Sequence, residues 1–273
     1  MDAMTGTTGL HSPASMWGRI ATTASVAIVA YAAMDMCHEV LGHGLATFFV
    51  DDVTPVSLTT VALSSNGVAS RWVALAGPLI NLMLGILALA WFRCLSTFGT
   101  GAFFLWLFAV VNLLNGTGYA IYSGVLDFGD LAVVIAGWQP HMAWRVGMVV
   151  LGVAGYYLSL RVSAVSLARR LDACGIARRV IPRLVWSAYL AGGLLLVSGA
   201  AMNPLSNLIL LSGASGGFVC MAGILFVPAV AEPGDVTSTG GESWQTSWPW
   251  VVSAVVVAAV FIFVIGPGIA LHA

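Results

Sequence analysis

Apolar residues run in long blocks along this chain, and polar residues fall between the blocks rather than alternating within them. A membrane-spanning helix needs about 20 mostly apolar residues. On that criterion the pattern predicts about seven spans, near residues 17–50, 70–94, 101–124, 141–167, 181–202, 205–230 and 249–271, with six and eight as the bounds of the count. The expected fold class is all-α, a polytopic integral membrane helix bundle. The first block exceeds what a span requires, so it must tilt, bend or project. Its apolar character resumes from Val40 to Val50, which favours one uncleaved span over a signal peptide ending near Ala30–Ala33. Residues 1–16 are rich in Gly, Thr and Ser and read as a flexible tail. Between the first two blocks, residues 53–65 alternate weakly and end at a Ser-Asn-Gly turn, the pattern of a short strand or hairpin.

Composition narrows the class further. Hydrophobic residues make up 59% of the chain and charged residues 8%, whereas a soluble globule carries about a quarter charged residues. The net charge of -1 provides no basic field for nucleic acid. Cys37, Cys94, Cys174 and Cys220 are scattered and form neither a disulfide framework nor a thiolate metal site. Every positive side chain is an arginine, and six of them (Arg161, Arg169, Arg170, Arg178, Arg179, Arg183) surround one loop. The positive-inside rule puts that loop in the cytoplasm. The N-terminus is then cytoplasmic, and residues 51–69 and 125–140 share the outer side.

Chemistry concentrates in the first block, at His38-Glu39-Val40-Leu41-Gly42-His43. Ionisable groups at membrane depth are costly and mark function. Two histidines with a glutamate also form the ligand-plus-base set of a zinc hydrolase. The histidines are five residues apart, however, which leaves them roughly 140° out of line on a regular α-helix. A π-bulge, with its i to i+5 register, would bring them together, and Gly42 eases the distortion. The spacing therefore predicts a bulge or break between His38 and His43. Two other readings use the regular helix. Asp35, Glu39 and His43 fall on one stripe that could bind a metal or relay protons, and a buried polar cluster could simply hold helices together.

Two further segments carry polar groups into apolar surroundings. Gly77, Asn81 and Gly85 repeat every four residues, a small-residue face for close helix approach. Asn112 and Asn115 precede Leu126-Asp127-Phe128-Gly129-Asp130. Asp127 and Asp130 lie on the same predicted side as the His-Glu motif, and either could complete a metal site. Asp130 could equally cap the helix that begins at Leu131.

Together these segments resemble the site-2 protease family of intramembrane zinc metalloproteases. Gly77-x-x-x-Asn81 is similar to that family's second motif. His38-Glu39-Val40-Leu41-Gly42-His43 resembles its His-Glu-x-x-His helix with one residue inserted. The third motif is degenerate: Asn112 is present, Asn115 stands where proline is expected, and Leu126-Asp127-Phe128 lacks the glycine. Gly129-Asp130 is similar to a variant of divergent bacterial members, which favours Asp130 over Asp127. The resemblance implies a metalloprotease-like core over residues 17–140, accessory helices over 141–273 and a bacterial cytoplasmic membrane location. It further implies Zn²⁺ held by His38, His43 and Asp130, Glu39 as the catalytic base, and Asn81 and Asn115 as substrate-binding groups. The partner it implies is a transmembrane protein substrate in the lipid bilayer. The alternatives are a proteolytically inactive membrane scaffold of the same fold and an ion or proton-relay transporter.

Overall fold

A computed structural model describes residues 13–67, 70–203, 218–231 and 246–271. Among them, six helices are long and apolar enough to cross a membrane, making this an integral membrane protein. The first, Met16–Thr47, is compound. It comprises α1 (Pro13–Met36), a π-helix (Cys37–Gly44) and the short α2 (Leu45–Thr47). Next come α3 (Arg71–Cys94), α4 (Thr100–Leu126), the short α5 (Asp130–Ile135), α6 (His141–Ala173) and α7 (Ile181–Ala201). The last spanning helix begins as α9 (Trp248–Val260), after the four-residue α8 (Val227–Val230), and ends in a π turn at Phe261–Ile265.

The seventh expected span, 205–230, lies partly outside the described residues. Its described part, residues 218–230, is a series of short turns and not one regular helix. Irregular backbone survives at membrane depth only where protein supplies its hydrogen bonds. The neighbouring helices do so here. The Tyr156 hydroxyl donates to the Cys220 carbonyl at 2.6 Å and accepts from the Gly223 N–H at 2.9 Å. Tyr189 donates to the Phe218 carbonyl and Arg178 to the Ala231 carbonyl. Met221, Ile224 and Val227 are meanwhile fully buried.

One hydrophobic core runs through both halves of the chain. Tyr31 of α1, Phe92 of α3, Trp106 of α4, Leu167 of α6 and Val185 of α7 all belong to it and are fully buried. Trp106 also ties α4 to α6 through its indole N–H, which donates to the Ser163 carbonyl at 3.0 Å. Outward-facing positions are apolar as well. Trp72 and Trp91 stand exposed near the two ends of α3, with Leu79, Met83, Ile86 and Leu87 between them, the aromatic-belt arrangement of a membrane span.

The expected hairpin is present as β1 (Thr54–Leu58) and β2 (Leu63–Asn66), paired antiparallel with a bulge between Pro55 and Ser57. A third strand, β3 (Ile269–Ala270), joins the other edge of β1 to give the order β2-β1-β3. Two residues carry no legible strand pattern, so only the tertiary structure reveals this strand. The sheet sits against the end of the bundle that holds the π-helix.

Candidate metal centre

The inserted residue acts through backbone register. Cys37–Gly44 is a π-helix, and the Leu45 N–H bonds the Val40 carbonyl in the i to i+5 pattern. Register widening turns His38 and His43 toward each other: their rings meet edge to face with centroids 4.8 Å apart. Gly42 serves a second purpose besides easing the bulge. A Cβ on it would lie 2.5 Å from the Cα of Gly77, so the glycine pair lets the π-helix touch α3 backbone to backbone. The Gly77-x-x-x-Asn81 face of α3 therefore packs on the His-Glu motif, while Gly85 lies against Leu113 of α4.

Hydrogen bonds settle which ring nitrogens carry protons. Asn81 is fully buried, and its amide nitrogen donates to the Met34 carbonyl at 3.3 Å and to Asn112 Oδ1 at 2.7 Å. Its Oδ1 must then be the atom facing His38 Nδ1, 2.5 Å away, so that nitrogen is the donor. His43 Nδ1 lies 2.7 Å from the Val73 carbonyl, which can only accept. Both Nδ1 atoms are protonated, so each Nε2 is a lone pair in the neutral ring. The ring of His38 is further held by Tyr119, stacked at 4.9 Å between centroids.

The two Nε2 atoms converge with an oxygen of Asp130. His38 Nε2 and His43 Nε2 are 3.2 Å apart, and Asp130 Oδ2 lies 3.0 Å from the first and 3.5 Å from the second. Three such acceptors meet stably only around a proton or a metal ion. A tetrahedral ion with metal–nitrogen bonds of 2.0–2.1 Å spaces its ligand atoms about 3.3 Å apart, so the observed separations fit. Glu39 completes the cluster. Ligand atoms of His38, Glu39 and His43 lie within 4.8 Å of one another, all three residues are buried, and the set could hold a metal ion. A Cβ on Gly77 would sit 2.7 Å from each Nε2, so the glycine keeps the space before the ligand atoms clear.

Local sequence aims Asp130. Asp127 ends α4 in the left-handed conformation at φ 54°, and Gly129 follows at φ 85°. Asp tolerates that region and Gly favours it. The chain thus reverses tightly and starts α5 with Asp130 turned toward the histidines. Burial pushes the Asp130 carboxyl up, but when the histidines are protonated and no ion is bound, their hydrogen bonds and charge outweigh it and hold it below the usual carboxylate range. Asp127, the rival candidate, is exposed and points elsewhere. It pairs with His141 at 3.0 Å and Arg145 at 3.6 Å, at the start of α6.

Glu39 is held by the sheet: the Leu63 N–H at the start of β2 donates to its Oε2 at 2.7 Å. The proton-relay stripe does not form a hydrogen-bonded chain, because Asp35 Oδ2 is buried without a partner and His43 Nε2 faces His38 and Asp130. Asn81 and Asn115, expected to bind substrate, lie within the hydrogen-bonded support of the site. Asn81 spends its amide oxygen and both amide hydrogens within the protein, and Asn115 Nδ2 reaches that same oxygen at 3.4 Å. Sequence reasoning assigned no role to Tyr119 or the Val73 carbonyl. The signal for Tyr119 was its place on one α4 face with Asn112 and Asn115; a backbone carbonyl leaves none.

No family model, curated protein or solved structure matches this chain.

Proposed function

We propose that this protein is an intramembrane zinc metallopeptidase that hydrolyses peptide bonds in transmembrane segments of other proteins. The observation that carries the reading is the convergence of His38 Nε2, His43 Nε2 and Asp130 Oδ2 beside a buried glutamate. In this reading those three residues hold the ion, and a donor set of two imidazoles and one carboxylate, with a fourth position open, suits catalytic zinc. Bound there, zinc supplies Lewis-acid activation of water and of the scissile carbonyl. Glu39 takes the proton of the attacking water and delivers it to the leaving amine. The Leu63 N–H engages Glu39 Oε2 and fixes the carboxylate while it does so. Asn81 and the Val73 carbonyl act as positioning groups, holding the Nδ1 protons so that both Nε2 lone pairs face the ion. A helical peptide bond is shielded by its own hydrogen bonds, so the substrate segment must unwind before it reaches Glu39.

Metal content and cleavage separate this reading from its rivals. The purified chain should carry about one zinc, and Glu39→Gln should keep it while abolishing cleavage of co-expressed single-span reporters. An Asp130→Asn or His43→Ala variant with undiminished zinc would remove the metal site as drawn. Full biological function in the Gln variant would replace the protease with a membrane scaffold of the same fold.

A further inference from the structure

We propose that a cleft at the opposite end of the bundle binds the phosphate headgroup of an anionic phospholipid. Helix α6 has 33 residues and is about 50 Å long, well beyond the roughly 30 Å hydrocarbon core. Its exposed apolar side chains include Val146, Val150, Leu151, Val153, Tyr157 and Leu158. That band is bracketed by Arg145 and Arg161, about 24 Å apart along the axis. Arg145 is tied to the end of α4 through the Gly124 and Val125 carbonyls, whereas an exposed arginine at the other end of such a band reaches toward the interface, so Arg161 stands where hydrocarbon gives way to headgroups.

Beyond that boundary the protein opens a cleft of ≈ 490 Å³ lined by Arg161, Arg169 and Arg178 over Val165, Val230 and Ala231. The three guanidiniums are not equivalent. Arg178 is fixed as a wall, paired with Asp172 at 2.5 Å and bonded to the Ala231 carbonyl at 2.6 Å. Arg161 and Arg169 are exposed and, among the described residues, have neither a hydrogen-bond nor an ion-pair partner. They lie eight residues apart on one face of α6, about 12 Å along the axis, with side chains long enough to meet over the cleft. Two guanidiniums without a partner among the described residues suit an anion with several acceptor oxygens, and phosphate matches their geometry. The apolar floor and the position at the edge of the lipid-facing band favour a lipid phosphate over a free one. The proposal does not depend on the peptidase reading, because the cleft lies at the other end of α6 from Asp127 and Asp130.

The test uses the full chain in neutral detergent, titrated with phosphatidylglycerol, phosphatidylcholine or inorganic phosphate, with bound ligand read by native mass spectrometry. Phosphatidylglycerol should bind, and Arg161→Gln/Arg169→Gln should weaken it at least about tenfold, the loss expected on removing a charge-assisted hydrogen bond to phosphate. Arg179→Gln, on the same loop but outside the cleft, should change it less than about twofold, because no lipid surface potential acts in detergent. The double variant should melt like the parent in phosphatidylcholine. Equal binding of phosphatidylcholine, or an equal loss in Arg179→Gln, would reduce the cleft to non-specific attraction and overturn the proposal. Inorganic phosphate competing as strongly as the lipid would overturn the lipid source. A lower melting temperature of the double variant in phosphatidylcholine would show that the arginines serve a partner within the chain, such as the acidic segment with Glu232 and Asp235, and not a lipid.

Discussion

Removing the Asn81 side chain tests the metal centre most directly, because it touches the site only through His38. Asn81→Ala deletes the acceptor 2.5 Å from His38 Nδ1 and frees the ring to rotate or change tautomer. Loss of such a supporting hydrogen bond typically costs 10–100-fold in metal affinity, or about 1.4–2.7 kcal/mol. The same change strands Asn112 Oδ1 and takes an acceptor from Asn115 Nδ2, so it also costs about 1–3 kcal/mol of fold stability for each buried group left unpaired. Two companion variants separate these effects. Asn112→Ala removes a partner of the Asn81 amide but leaves the His38 bond, so it should destabilise while shifting zinc affinity less than about threefold. Asn81→Asp keeps an acceptor for His38 Nδ1 and should retain most affinity despite a similar loss of stability. The assay is competition between apo-protein and a chromogenic chelator, with melting temperature followed in parallel. If Asn81→Ala binds zinc as tightly as the parent, the tautomer argument fails and His38 is not oriented as described.

Other consequences follow from the same geometry. Gly77→Ala should abolish zinc binding, since its Cβ would sit 2.7 Å from both Nε2 atoms; chelator competition after confirming a folded, monodisperse protein checks this. Asp130→Asn should lose zinc far more severely than Asp127→Asn, whose parent side chain pairs with His141 and Arg145; equal losses would return Asp127 to the site. Tyr156→Phe leaves the Cys220 carbonyl and Gly223 N–H without their partner, so stability should fall by about 1–3 kcal/mol per group with zinc content unchanged, as read by thermal melting and metal analysis.

Much of this protein follows from the order of its residues alone. Blocks of apolar residues specify helices of spanning length because lipid offers no partner for the backbone. The weak alternation of residues 53–65 specified the hairpin. The five-residue spacing of His38 and His43 demanded a widened helix, since only an i to i+5 register aligns them, and the chain contains one at that place. Choosing between Asp127 and Asp130 was different. Both are acidic, three residues apart and beside the same helix end, so composition treats them alike, and only the resemblance of Gly129-Asp130 to a family variant favours one. Positive φ angles at Asp127 and Gly129 decide it by turning one carboxylate inward and leaving the other to His141. The work done by Asn81 was equally hidden. An asparagine in an apolar helix must find partners, but which ones depends on α3 meeting the π-helix and α4 at contact distance. Periodicity reports which face of an element is buried. The identity of what faces it across the core arises only when distant segments pack, and there the candidate metal centre is assembled.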